Sequence, residues 1–166
     1  MEFRAAFLIA ILFAITSSCR SPGPDESANL TMCQSHLHNL ALVVSAYRQD
    51  HEERFPPSLA RLMTESGMSD GVSRLLVCPG LKSATGGAAL STESASYIFV
   101  NWSAWFLDER RVPPEFPLFY DRRLANHAGN GVNVVQVNGT VFWDLHCKWL
   151  KDFSASNPKY GIRVPP

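Results

Sequence analysis

The chain has 166 residues, 46% hydrophobic and 18% charged, which is enough apolar material for one buried core and too much for a disordered polymer. Lys+Arg and Asp+Glu both total 15, so the formal net charge is +0, without the basic footprint of a nucleic-acid binder. Eleven prolines and ten glycines, mostly after residue 55, point to a loop-rich second half.

Residues 1–18 have the layout of an export signal. Arg4 precedes the apolar run Ala5–Ile15, and Thr16-Ser-Ser-Cys19 follows. That run is shorter than the roughly 20 apolar residues that a membrane-spanning helix needs. Small residues ending in Cys resemble the lipobox of bacterial lipoproteins, with Thr16 where Leu is usual. The resemblance implies cleavage before Cys19 and lipidation of that residue. Ordinary signal-peptidase cleavage near the same place would instead leave Cys19 a free thiol. Residues 19–27, rich in Ser and Pro, read as a flexible tether, and 28–166 as the globular domain.

The longest helix signal comes next. Leu30, Cys33, Leu37, Leu40, Val44 and Tyr47 recur at spacings of three and four and so share one helical stripe. The spacing predicts a helix from about Ala28 to His51, roughly 36 Å long. Phe55-Pro-Pro57 breaks it, because proline lacks the N–H and restricts the residue before it. A second short helix is predicted over Ser58–Glu65, with Leu59, Leu62 and Met63 inward and Gly67 as its stop.

Leu75–Pro79 reads as an apolar segment ending in a turn, Gly80–Glu93 as a loop, Ser96–Trp102 as a strand and Ser103–Glu115 as an inserted loop. Pro117–Asp121 is another strand, followed by the glycine-rich loop Asn126–Gly131. Val132–Val137 and Thr140–Trp143 flank Asn138-Gly139, a strong signal for a hairpin with a two-residue type I′ turn. Asp144 is placed to cap a last helix over Leu145–Phe153, and Lys159–Pro166 reads as an edge strand or extended tail. The expected class is α+β: one long N-terminal helix on a small antiparallel sheet with long loops.

The order of these pieces resembles a known family. Cys33-Gln-Ser-His-Leu-His-Asn-Leu40, Tyr47, Phe55-Pro-Pro57, Leu59 and Cys78-Pro79 are similar to pseudopilin-like proteins related to the type II secretion G protein. Ser96-Tyr97, Asn101, and Asp121 through His127 to Asn138-Gly139 resemble the associated domain named for a His followed by Asp-Gly. Asn138 stands where that signature has Asp, and its distance from His127 is one residue longer. The usual prepilin processing site and long apolar half-helix are replaced by the export signal. The resemblance therefore implies a pilin-like domain on a lipid tether facing the periplasm, not a filament subunit.

Candidate chemistry centres on His127, with Asp121 six residues before it and His146 and Cys147 beyond the hairpin. A Cys–His nucleophile needs contact and a third, orienting group. The bland reading makes His127 a loop residue whose ring nitrogens bond backbone carbonyls. His36 and His38, at i, i+2, cannot share a helix face, and no Cys-x-x-Cys occurs, so no metal site or cofactor is predicted. Asp108, Glu109, Glu115 and Asp121 lack the pattern of a calcium loop. Asn29, Asn101 and Asn138 head formal glycosylation sequons, and Asn138 is explained by its turn. Trp102, Trp105, Trp143 and Trp149 fit either core packing or a sugar-binding surface. Cys33, Cys78 and Cys147 allow at most one intramolecular disulfide among themselves, with Cys33–Cys78 favoured and Cys78–Cys147 its competitor. Two functions are carried forward. One is a non-enzymatic, envelope-anchored module that binds secretion or envelope components. The other is a small exported hydrolase or thiol enzyme using Cys147 or Cys78 with His127.

Overall fold

The computed structural model describes residues 24–66, 69–80, 95–127 and 129–166. The export signal, Cys19, the start of the tether, Gly67 and nearly all of the Gly80–Glu93 loop lie outside the described residues.

Helix α1 runs from Pro24 to Asp50, four residues earlier than expected. Residues 24–27, assigned above to the tether, are helical. Proline is tolerated there because the first turn has no intrahelical use for its N–H, and Asp25 and Glu26 favour the positive helix end. Cys33, Leu37, Leu40, Ala41, Val44 and Tyr47 are buried, so the stripe packs as its spacing predicts, while Leu30 at its start is only half-buried. Helix α2 covers Leu59–Glu65, with Ser58 outside it as the cap whose Oγ accepts from the Arg61 N–H at 3.1 Å. Helix α3, Ser69–Leu75, has no counterpart in the sequence reading; Val72 and the following Leu76 anchor it in the core. Among the described residues no helix is long and apolar enough to cross a membrane.

Among the described residues four strands follow as an antiparallel meander in the order β1-β2-β3-β4: Tyr97–Phe99, Pro117–Asp121, Gly131–Gln136 and Val141–Leu145. The expected strand at Ser96–Trp102 is shorter, because Trp102–Ala104 turns into a 3-10 helix capped by the Asn101 side chain. All five residues of β2 are buried, as are five of the six in β3. Helix α1 lies against β2, β3 and β4 and also against α2 and α3, so the sheet and the two short helices together cover its apolar stripe. The register of β2 on β3 slips between Pro117 and Phe119, at the one position where the strand has no N–H to offer. The chain closes with α4, Lys148–Ser156, a 3-10 turn at Pro158–Tyr160 and an extended tail outside the sheet.

Two corrections concern turns. The β3–β4 hairpin forms at the expected place, but not with a two-residue type I′ turn. Gly139 alone takes a positive φ, +83°, and Asn138 does not. The Gly139 N–H donates to Gln136 O and the Gln136 N–H to Thr140 O, both at 2.9 Å. That pattern is a type I turn at Val137-Asn138 followed by a left-handed glycine, the three-residue hairpin loop. Asn138 serves it by accepting the Thr140 N–H on Oδ1 at 2.9 Å. The backbone N–H groups of Val137 and Asn138 meanwhile donate to Phe116 O and Pro114 O, tying the turn to the loop before β2. The second correction is at α4. Asp144 caps it as expected, accepting from Trp149 N–H on Oδ1 and Leu150 N–H on Oδ2. It does so from the end of β4, so Leu145 lies in the strand and is exposed.

Candidate functional site

The residues that matter for chemistry come from four places in the chain. Cys33 belongs to the stripe of α1. Cys78 follows α3 in a turn, where its N–H donates to Ser96 Oγ at 2.9 Å. Ser96 in turn is fixed by donating its N–H to Leu76 O and accepting from Arg122 N–H. Gly80 allows this turn to sit tightly: a Cβ there would lie 2.8 Å from Asn126 O. His127 ends a 3-10 turn, Leu124–His127, immediately after β2, in place of the expected loop. Asp121 closes β2, and Asn133 comes from the middle of β3.

These side chains converge inside the protein. Cys33 Sγ, Cys78 Sγ and a ring nitrogen of His127 all lie within 4.8 Å of one another, and all three residues are buried. His127 Nε2 is 3.6 Å from Cys78 Sγ, 3.6 Å from Asp121 Oδ2 and 3.1 Å from Asn133 Nδ2. Asp121 accepts the Asn133 backbone N–H at 2.6 Å and Asn133 Nδ2 at 3.1 Å, both on Oδ2, while Asn126 Nδ2 approaches Oδ1 at 3.4 Å. Trp143 closes one side, edge-on to the His127 ring at 5.7 Å.

The proton arrangement follows from Asp121. A carboxylate accepts only, so the Asn133 amide must turn its NH2 toward it. The same NH2 faces His127 Nε2, which therefore presents a lone pair there, with the ring hydrogen on Nδ1. Burial pushes the Asp121 carboxyl up to about 6, although the Asn133 N–H and His127 pull the other way. The two thiols split. Contact with Cys78 and burial hold the Cys33 thiol high; the hydrogen bond from Cys33 holds Cys78 low despite burial. One of the pair is the readier thiolate.

Several sequence expectations are now placed. His127 was expected to bond backbone carbonyls, yet its Nε2 faces only side chains, and Nδ1 has no hydrogen-bond partner among the described residues. Asp121 and His127 do come together, at the far end of the sheet from Asn138 and Gly139. Cys33 and Cys78 are brought side by side as free thiols. Cys147, also a free buried thiol, caps α4 in a left-handed conformation and is held up by burial. His36 Nδ1 meets Val77 O and His38 Nδ1 meets Gly139 O, two separate surroundings, as the i, i+2 spacing requires. Asp108 is occupied by Arg110 and Arg111 rather than arranged with other oxygens. Of the tryptophans, Trp102 is fully buried and Trp105 half-exposed. The sequence reading assigned no site role to Asn133, Asn126 or Ser96; an Asn amid the valines of a buried strand was the available signal for Asn133.

A surface hollow of about 550 Å³ lies elsewhere, lined by Glu52, Arg54, Asp108 and Arg110 among others. Both of its arginines are already paired, Arg54 with Glu52 at 3.4 Å and Arg110 with Asp108 at 2.9 Å. The buried cluster is the better candidate site. No family model, curated protein or solved structure matches the chain.

Proposed function

We propose that this protein is a non-enzymatic, envelope-anchored module of pilin-like, pseudopilin-related build that binds secretion-system or other envelope components. The observation that carries the reading is the single long N-terminal helix whose one apolar stripe is covered by an antiparallel meander and two short helices. From Cys33 to Tyr47 the stripe is buried within this fold, which leaves only scattered apolar residues such as Leu30 and Leu42 for the lateral helix packing that a filament needs.

We rank the competing thiol-enzyme reading second; it has a sulfur beside an imidazole, arranged differently from a relay. In a Cys–His–Asp relay the carboxylate holds one ring nitrogen and the nucleophile meets the other. Here Asp121 and Cys78 both face Nε2, while Nδ1 stands without either. Cys78 is 0% exposed and His127 4%, whereas a nucleophile must meet its substrate.

The test uses the exported full chain in its own envelope. A fatty-acid analogue should label the wild type and spare Cys19→Ala. Cross-linking should capture envelope or secretion proteins with the wild type, and electron microscopy should show no filaments. Filaments, or equal labelling of both chains, would overturn the reading.

A further inference from the structure

We propose that Cys33, Cys78 and His127 form a buried zinc site, with both sulfurs as thiolates and His127 Nε2 as the third ligand. This goes beyond the anchoring role and does not depend on it.

The distances fit the ion. With Zn–S of about 2.3 Å and Zn–N of about 2.0–2.1 Å, a tetrahedral angle sets a sulfur–nitrogen edge of roughly 3.6 Å. Cys78 Sγ and His127 Nε2 stand 3.6 Å apart, and all three ligand atoms fall within 4.8 Å of one another. The Cys78–His127 edge is already at that length, and the remaining separations need to close by at most about 1 Å, within reach of side-chain rotation, for one ion to touch all three. The donor set fits as well: two soft sulfurs and an imidazole are what a thiophilic, tetrahedral cation selects.

The neighbours orient the ligands. Asn133, turned by Asp121, keeps hydrogen off Nε2; the ion would take that single lone pair from the Asn133 NH2, which retains Asp121 Oδ2 as its acceptor. Ser96 fixes the Cys78 turn through the Cys78 N–H. Asp121, whose Oδ2 already accepts twice from Asn133, is left beside the site rather than in it. Binding releases to solvent the proton of each sulfur that still carries one. A divalent ion with two thiolates and a neutral imidazole is itself neutral, so binding adds no charge to the buried Asp121 carboxylate beside it. The same region holds buried polar atoms, Asn126 Oδ1 and Asn133 Oδ1, without a hydrogen-bond partner among the described residues. An apolar core would not retain such a group of side chains at the junction of α1, the Cys78 turn and the sheet.

A disulfide between the same two sulfurs is the opposing outcome, since it removes both thiolates. The test takes the full chain carrying Cys19→Ala and Cys147→Ser, which leaves Cys33 and Cys78 as the only thiols of four. Isolated without reductant from zinc-supplemented cells, it should contain about one zinc per chain. After chelation and reduction, Co²⁺ should give the intense visible bands of a tetrahedral site with a near-ultraviolet sulfur-to-cobalt band, and Zn²⁺ should erase both. Adding Cys78→Ser should abolish the sulfur band. A metal-free chain with a Cys33–Cys78 disulfide on peptide mapping, or only the weak octahedral cobalt spectrum after reduction, would overturn the proposal. The cobalt spectrum of the parent chain is decisive even where the triple variant fails to fold.

Discussion

Strand β2 is five residues long and has a different kind of interior at each end. At Pro117 it meets an aromatic cluster: the Trp102 indole N–H donates to Pro117 O, and Trp102 touches Phe106, Phe116 and Tyr160 at ring distances of 5.0–6.1 Å. Phe116 continues the chain of rings to Phe153, Phe153 to Trp149, and Trp149 to Phe142. At Asp121 the strand meets the thiol, imidazole and amide cluster. The aromatic end is held by area, which is non-directional and roughly proportional to what is buried. The polar end is held by pairs, and each group lost leaves its partner unpaired in a dry place. The first should degrade gradually under substitution, the second abruptly.

The largest expected effect breaks the polar end. Asp121→Ala strands the Asn133 backbone N–H and amide, and should cost about 3–5 kcal/mol in chemical denaturation. Asp121→Asn keeps the shape yet turns donors toward donors, and should still cost about 1–3 kcal/mol. A neutral Asp121→Asn would dissolve the distinction between the ends. Next comes Gly131→Ala, at the start of β3 beside the same cluster. Its Cβ would lie 2.5 Å from Asp144 O and 2.8 Å from the Trp143 ring, so about 1–3 kcal/mol should be lost. Gly139→Val forces a β-branched residue to φ +83° and should cost at least about 1 kcal/mol, with the melting temperature as the readout. Phe106→Leu should be the mildest, about 1 kcal/mol or less, because Trp102, Phe116 and Tyr160 can close on the smaller side chain. A loss above that of Asp121→Ala would reverse the comparison.

The two ends also differ in how far they could be read from the sequence. The stripe of α1, the Pro117–Asp121 strand and the hairpin at Asn138-Gly139 follow from local periodicity and turn residues, and the structure has them. Helix α3 was illegible because Ser69-Asp-Gly-Val-Ser-Arg-Leu75 contains weak helix formers; the burial of Val72 and Leu76 overrides that preference. The turn type was misread because Asn-Gly serves two hairpin geometries. Only the register, with Gln136 facing Thr140, separates them. The site was half-visible. Asp121 and His127 are close in the chain and were paired on that basis, but Cys33, Cys78 and Asn133 meet them through tertiary packing alone. Metal-ligand spacing is a local signal, and this cluster has none.

That scattered origin bears on the order in which the molecule assembles. His127 is separated from Cys78 by 49 positions, whereas the β3–β4 hairpin closes over a three-residue loop. Short-range pairings form on the order of microseconds, and contacts across long loops must first overcome the entropy of closure. The hairpin should be present in the folding transition state, and the convergence of α1, the Cys78 turn and His127 should come after it. Substitutions in the buried cluster would then leave the folding arm of a chevron nearly unchanged and steepen loss through the unfolding arm, so this cluster sets how long the native state survives rather than how fast it forms.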